Sequence, residues 1–191
     1  MCSLNFKEII NLTKDIDIIY SMSMGQREAV YDCAAQLGKG DVALEIGICR
    51  GITTSVLTYV AKEKGFETYG IDDWSLGNSE EEFRATLEEL GLETNIITGR
   101  SQDVEWEKEI DLLIIDGCHI PEMVKLDYEK FIPFVKSGGV VMSHDWVPGD
   151  DGTDHTNAHW GINFYGEENM NPEDGWELLG NVVGLEIRRK P

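Results

Sequence analysis

Val42-Ala-Leu-Glu45-Ile-Gly47-Ile-Cys49-Arg-Gly51-Ile-Thr53 is an apolar run that breaks into a glycine-punctuated turn and then enters helix-forming sequence. Val42 to Ile46 reads as a buried strand and Ile52 to Lys64 as a helix. Gly47 and Gly51 permit a tight turn and let a ligand approach the backbone, and the helix start favours a negative group. A tight turn with nothing bound would look the same at this point.

The same alternation continues outward. Phe66 to Ile71 is a strand ending at Asp72-Asp73. Ser79 to Leu90 is a helix, with Ser79 and Glu82 as a capping box and Gly91 as its C-cap. Thr94 to Thr98 is a strand, and Ile110 to Ile115 a strand of the kind buried on both faces, ending at Asp116. Pro121 to Phe134 is a helix with proline in its first turn. Ser137-Gly138-Gly139 reads as a turn and Val140 to Ser143 as a strand leading into His144-Asp145. Upstream, Gln26 to Leu37 places Ala29, Val30, Cys33, Ala34 and Leu37 on one helical face, and Gly38 and Gly40 end it.

This alternation predicts an α/β fold: a Rossmann-like, doubly wound, mostly parallel sheet with right-handed crossovers. Trp176 to Leu179, a Gly180-Asn181 turn and Val182 to Arg188 read as an antiparallel C-terminal hairpin that brings the count to seven strands. Residues 1–191 form a single domain. Residues 1–24 are expected to cover the cofactor or a partner subunit, which leaves a homodimer open. Residues 146–175, rich in Gly, Asp, Asn and Glu, are expected to form a lid-like insertion.

Composition narrows the function classes. The chain has 191 residues, is 41% hydrophobic and carries a formal net charge of −20. So acidic a surface repels phosphate and lacks a basic stripe, so no nucleic-acid partner is expected. No run of about 18 apolar residues is present, so no membrane partner is expected. The N-terminus lacks a basic segment followed by an apolar stretch, so a cytoplasmic location is expected. Cys2, Cys33, Cys49 and Cys118 include no Cys-x-x-Cys pair, which argues against a zinc knuckle and fits reduced thiols.

Ligands of open parallel sheets bind at the carboxyl ends of the strands. Here those ends carry Glu45, Asp72, Asp116 and the pair His144-Asp145. Asp72, 27 residues beyond Glu45, can accept hydrogen bonds from ribose hydroxyls. Gly99-Arg100-Ser101-Gln102-Asp103 follows the next strand, where an adenine ring could be held. Cys49 stands where a dinucleotide fingerprint has its second glycine, which argues against NAD. Asp116 and Asp145 end adjacent strands, about 5 Å apart, and can reach one cation.

From about Gln26 to Asp145 the chain resembles the class I S-adenosylmethionine-dependent methyltransferases. More narrowly, it is similar to the metal-dependent O-methyltransferases of the catechol and macrolide-sugar types. Their first motif also lacks the middle glycine. The resemblance implies cofactor contacts from Glu45, Gly47, Gly51, Thr53, Asp72 and Asp116. Gly47 and Thr53 would lie near the methionine, Asp72 at the ribose, and Ser101 and Gln102 at the adenine. It also implies a divalent metal held by Asp116, His144 and Asp145, with His119 as general base.

His144 departs from the catechol pattern, where an acidic ligand is usual. Either the metal is softer than magnesium, such as manganese, iron, nickel or zinc, or His144 turns away and water replaces it. The implied reaction is methylation of a hydroxyl on a small molecule or sugar, with chelation favouring a vicinal diol. The alternatives are a metal-independent methyltransferase, an NAD-dependent oxidoreductase, and a protein that binds cofactor without catalysis.

Overall fold

The structure, a computed structural model, describes residues 6–7, 22–75, 80–147 and 160–191. In chain order the elements are α1 (Met24–Ala34), β1 (Val42–Ile46), α2 (Ile52–Lys64), β2 (Glu67–Asp72), α3 (Glu80–Leu90), β3 (Asn95–Thr98), β4 (Ile110–Ile115), α4 (Pro121–Phe131), β5 (Val135–Trp146), α5 (Trp160–Asn169), β6 (Glu177–Val182) and β7 (Gly184–Arg189). Short 3₁₀ turns follow α4 (Ile132–Phe134) and α5 (Pro172–Asp174).

One seven-stranded sheet runs in the order β3-β2-β1-β4-β5-β7-β6. The pairings from β3 through β5 are parallel, whereas β7 is antiparallel to both β5 and β6. The expected α/β architecture and its closing hairpin are therefore what the chain adopts.

The central strands β1 and β4 are mostly apolar because both their faces are covered. Leu44 and Ile46 of β1 and Leu113 and Ile115 of β4 pack with Tyr128 and Phe131 of α4. Ala43, Leu112 and Ile114 face the other way, onto Val30 of α1 and Val56, Leu57 and Val60 of α2. A smaller cluster of Ile48, Phe83, Leu87 and Leu92 fixes α3 beside the first loop. Truncating a fully buried leucine such as Leu113 to alanine should cost about 2–5 kcal/mol.

Local signals explain most boundaries. Ser23 caps α1 through a reciprocal capping box with Gln26, so the helix begins two residues before its expected start. Gly91, at φ +63, ends α3: its N–H donates to Glu88 O at 3.0 Å and the Leu92 N–H to Leu87 O at 2.8 Å, a Schellman pattern. The Ser79 half of the capping box expected for this helix lies outside the described residues.

Two expectations are corrected. Ser137-Gly138-Gly139 is not a free turn but part of a long β5. Gly138, at φ +80, donates to Lys190 O at 2.9 Å, and the Lys190 N–H returns to Gly139 O at 2.9 Å, so the segment stays in the sheet. The hairpin turns at Val183-Gly184 rather than Gly180-Asn181: Gly184 takes the left-handed φ of +80, and Gly180 sits beside a bulge inside β6.

Helix α5 falls within the stretch expected to form a lid-like insertion, and it is packed against the domain. Gly161 lies against Pro121, and Gly166 against the Trp146 ring and the Tyr128 hydroxyl. Asn163 closes the joint, accepting from Val147 N–H at 3.1 Å and donating to Val147 O at 2.7 Å. His155 and His159, and most of the expected N-terminal cover segment, lie outside the described residues.

Candidate active site

The strand order reverses between β1 and β4, and the loops leaving these two strands are pressed together. Gly47 has φ +90, and a Cβ there would stand 2.1 Å from the Asp116 carbonyl oxygen. Gly51 is the left-handed N-cap of α2, and a Cβ on it would stand 1.9 Å from the Phe83 ring. Both glycines are thus required by packing before any ligand is considered. Between the loops opens a cleft whose lining includes Glu45, Gly47, Arg50, Thr53 and Asp116.

Glu45 is 1% exposed and accepts a hydrogen bond from the Thr54 hydroxyl. Burial drives its carboxyl well above the usual range; Thr54 and Thr53 pull it back in part, while Asp116 and Asp72 push it further up. Asp116 is likewise raised by burial, against the opposing pull of His144. A bound positive charge would favour the ionised form of both carboxyls, so the cleft suits a cationic group better than a pyrophosphate.

Asp72 ties two loops together. Its Oδ2 accepts from Cys49 N–H at 2.8 Å and its Oδ1 from Trp74 N–H at 2.7 Å. Both donors belong to non-glycine residues with positive φ, Cys49 at 50° and Trp74 at 58°. The third such residue among those described is Asp145, at 57°. Strained backbone therefore gathers at three strand ends around one crevice.

The loop after β3 holds a group that sequence reasoning missed. The Ser101 hydroxyl and the Gln102 Nε2, the latter at 2.8 Å, both donate to Asp127 Oδ1 on α4. Ser101 thus gives its hydroxyl hydrogen, and Gln102 one of its two amide hydrogens, to a protein carboxylate. Burial pushes the Asp127 carboxyl up to about 6, against the pull of Ser101, Gln102 and Lys130. A carboxylate among Val124, Tyr128 and Phe131, on an otherwise buried helical face, was the available signal.

On the other side of Asp116 the strand ends of β4 and β5 converge as expected. Ligand atoms of Asp116, His144 and Asp145 all lie within 4.8 Å of one another. His144 Nδ1 is 2.8 Å from Asp116 Oδ1 and 3.3 Å from Asp145 Oδ2. Yet the buried Nδ1 makes no well-directed hydrogen bond to either. His144 points into the cluster, not away from it. Burial opposes its protonation, but the two carboxylates win and raise it to about 10. His119 Nε2 stands 3.2 Å from Asp145 Oδ2, at the mouth of this group.

The stretch from residue 44 to residue 146 matches the model of a family described as a methyltransferase domain. The chain belongs to that methyltransferase-domain family. The matched stretch takes in every strand end described above, from Glu45 to Asp145. The assignment sets aside the oxidoreductase alternative.

Solved structures share the fold of this methyltransferase domain. An O-methyltransferase from Bacillus cereus, in complex with S-adenosylhomocysteine, is 18% identical with a TM-score of 0.68, over 97% of this chain and 90% of that one. The O-methyltransferase TomG from Streptomyces achromogenes, involved in tomaymycin synthesis and solved with S-adenosylmethionine, is 17% identical with a TM-score of 0.68, over 97% and 88%. A methyltransferase from Podospora anserina bound to S-adenosylhomocysteine is 15% identical with a TM-score of 0.67, over 97% and 87%. Among the described residues, no helix is long and apolar enough to cross a membrane.

Proposed function

We propose that this chain is an S-adenosylmethionine-dependent O-methyltransferase that acts on a hydroxyl of a small molecule or sugar with the help of a divalent metal. The observation that carries the reading is the joining of two sites at one carboxylate. Asp116 lines the acidic cleft on one side and belongs to the Asp116–His144–Asp145 cluster on the other.

The cleft residues fit the cofactor. Glu45 and Asp116 offer negative charge to a sulfonium and an ammonium group, and Arg50 is at hand for a carboxylate. Asp72 keeps lone pairs for ribose hydroxyls while its two backbone hydrogen bonds hold it still. When bound, the cofactor supplies an electrophilic methyl group. The protein aligns it with the acceptor oxygen for in-line displacement.

The cluster residues fit a cation. His144 Nδ1 and an oxygen of each carboxylate lie within 4.8 Å of one another, and the buried Nδ1 has no well-directed hydrogen bond among the described residues. Asp116, His144 and Asp145 would hold the ion, and the imidazole favours manganese, iron, cobalt, nickel or zinc over magnesium. Such an ion polarises the acceptor hydroxyl and lowers its pKa. His119 takes the proton at its imidazole, while Asp145, 3.2 Å away, orients the ring and stabilises the imidazolium that forms.

One observation favours a second reading. A protonated His144 between Asp116 and Asp145 already balances part of their charge, as a metal-independent methyltransferase would need. A methyl-transfer screen separates the two. Vicinal diols and single hydroxyls are offered with S-adenosylmethionine, before and after chelation and with each metal restored. Loss on chelation with recovery by manganese supports the metal reading. Full activity after chelation supports the second reading, and no S-adenosylhomocysteine from any acceptor or metal rejects both.

A further inference from the structure

The end of β5 departs from a strand's alternation where the cation cluster lies. Val141 packs on the α4 side of the sheet and Met142 on the side of α1 and α2. Strict alternation would send Ser143 and Asp145 to the first side, and His144 and Trp146 to the second. Trp146 instead joins Val141, Tyr128 and Ile162 on the α4 side, and Asp145 Oδ2 lies 3.3 Å from His144 Nδ1. The pairing with β7 accounts for the exchange. His144 opposes Leu185 and Trp146 opposes Gly184, so Asp145 is the extra residue of a β-bulge. Its φ is +57. A bulge of this kind re-aims a side chain.

A left-handed residue other than glycine persists only where its surroundings fix it. Here the chain beyond the bulge is fixed from α5. The ladder with β7 ends at Trp146. At the next residue Asn163, 0% exposed, accepts from the Val147 N–H at 3.1 Å and donates to the Val147 carbonyl at 2.7 Å. One side-chain amide thus takes over as the partner of a strand residue. Gly166 lets the Trp146 ring lie where a Cβ would be 2.4 Å from it, and the Arg188 guanidinium stands 5.2 Å over the same ring. The bulge is therefore held between a paired His144 and a clamped Trp146-Val147.

We propose that Asn163 is a positioning residue for the divalent cation: by holding Val147 it keeps the bulge that brings the Asp145 carboxylate beside His144 and Asp116. The proposal rests on the metal reading above and adds to it the device that assembles the ligand set. Asn163 acts through the backbone, two residues on from Asp145.

Binding of Mn²⁺ alone, followed by the loss of the free-ion signal in electron paramagnetic resonance, tests this without turnover. Calorimetric binding of S-adenosylhomocysteine to the metal-free protein runs beside it. Asn163→Ala should weaken Mn²⁺ binding by about 10–100-fold, the usual effect of losing a group that orients a ligand. Its S-adenosylhomocysteine affinity should stay at the wild-type value. Asp145→Gly suits the left-handed φ and removes the carboxylate. In that background Asn163→Ala should weaken Mn²⁺ no further. Unchanged Mn²⁺ affinity in Asn163→Ala, equal weakening of both ligands, or the same loss with and without the Asp145 carboxylate would each overturn the proposal and leave the metal reading standing. If Asn163→Ala does not fold, Asn163→Ser, too short to make both hydrogen bonds, decides: wild-type Mn²⁺ affinity overturns the proposal. Mn²⁺ binding that Asp145→Gly leaves unchanged belongs elsewhere on the acidic surface and sinks both readings, as does no binding at all.

Discussion

The two halves of the crevice handle their carboxylates in opposite ways. On the β1–β2–β3 side, Glu45, Asp72 and Asp127 are each held by donors of the protein itself: a threonine hydroxyl, two backbone N–H groups, and a serine with a glutamine. On the β4–β5 side, Asp116 and Asp145 lie beside His144 and His119, and His144 Nδ1 has no well-directed partner among the described residues. The first half is a finished scaffold, organised before any ligand arrives. The second gathers a buried imidazole nitrogen and two carboxylates at one place. Damage to the first half should therefore register in folding and cofactor affinity, and damage to the second in the chemical step.

The sharpest separation should come from His119→Ala. A lost general base lowers kcat by about 10²–10⁴-fold. S-adenosylhomocysteine affinity and Tm should stay near wild type, because His119 is partly exposed and lies outside the cleft lining. Steady-state kinetics beside calorimetry checks this. A matching loss of cofactor affinity would break the division between the halves.

Gly47→Ala probes the other half and should show the reverse pattern. The new Cβ meets backbone, not a flexible side chain, at a φ of +90°. Left-handed strain and overpacking together should cost about 3 kcal/mol. At about 2–4 °C per kcal/mol for a domain of this size, thermal melts should fall by roughly 6–12 °C. An unchanged Tm would mean that the loops after β1 and β4 are not in contact.

The same contrast explains what the sequence revealed. The central strands were legible because burial on both faces leaves apolar runs such as Leu112 to Ile115. The strand-end acids were legible because such runs stop at them. The hairpin turn was not, because Gly180-Asn181 and Val183-Gly184 offer similar local signals, and the sheet's register decides between them. Helix α5 was hidden in a polar, glycine-rich stretch because its packing depends on missing side chains at Gly161 and Gly166. Asp127 was overlooked for a different reason. Its partners lie 25 and 26 residues away, and only the fold brings α4 under that loop.

Asp127 also supplies a pH test of how finished the scaffold is. Its native carboxyl keeps its proton to about pH 6, whereas an unfolded chain loses it near 4. The proton is therefore bound more tightly by the folded state. Its contribution to stability is full below pH 4 and is lost as pH rises through 6. The amount is on the order of 3 kcal/mol. Asp127→Asn has no proton to lose. Its Tm relative to wild type should climb by several degrees between pH 4 and pH 7, in melts taken at matched ionic strength. A flat difference would show that Asp127 keeps an ordinary carboxyl and that its hydrogen bonds repay its burial in full.

Cys49 gives the smallest effect and the finest test of the scaffold. Its φ of 50° places a side-chain-bearing residue where glycine is usual, and its N–H is donated to Asp72. A left-handed residue costs about 1–2 kcal/mol. Glycine removes that strain but gains freedom in the unfolded chain worth about 0.5–1 kcal/mol. Cys49→Gly should therefore raise stability by no more than about 1.5 kcal/mol, a Tm gain of at most roughly 3–6 °C. The hydrogen bond to Asp72 needs only the backbone and survives the change. A fall in Tm would mean that the Cys49 side chain contributes more through its contacts than its backbone loses to strain, and that the first half of the crevice is held by more than its hydrogen bonds.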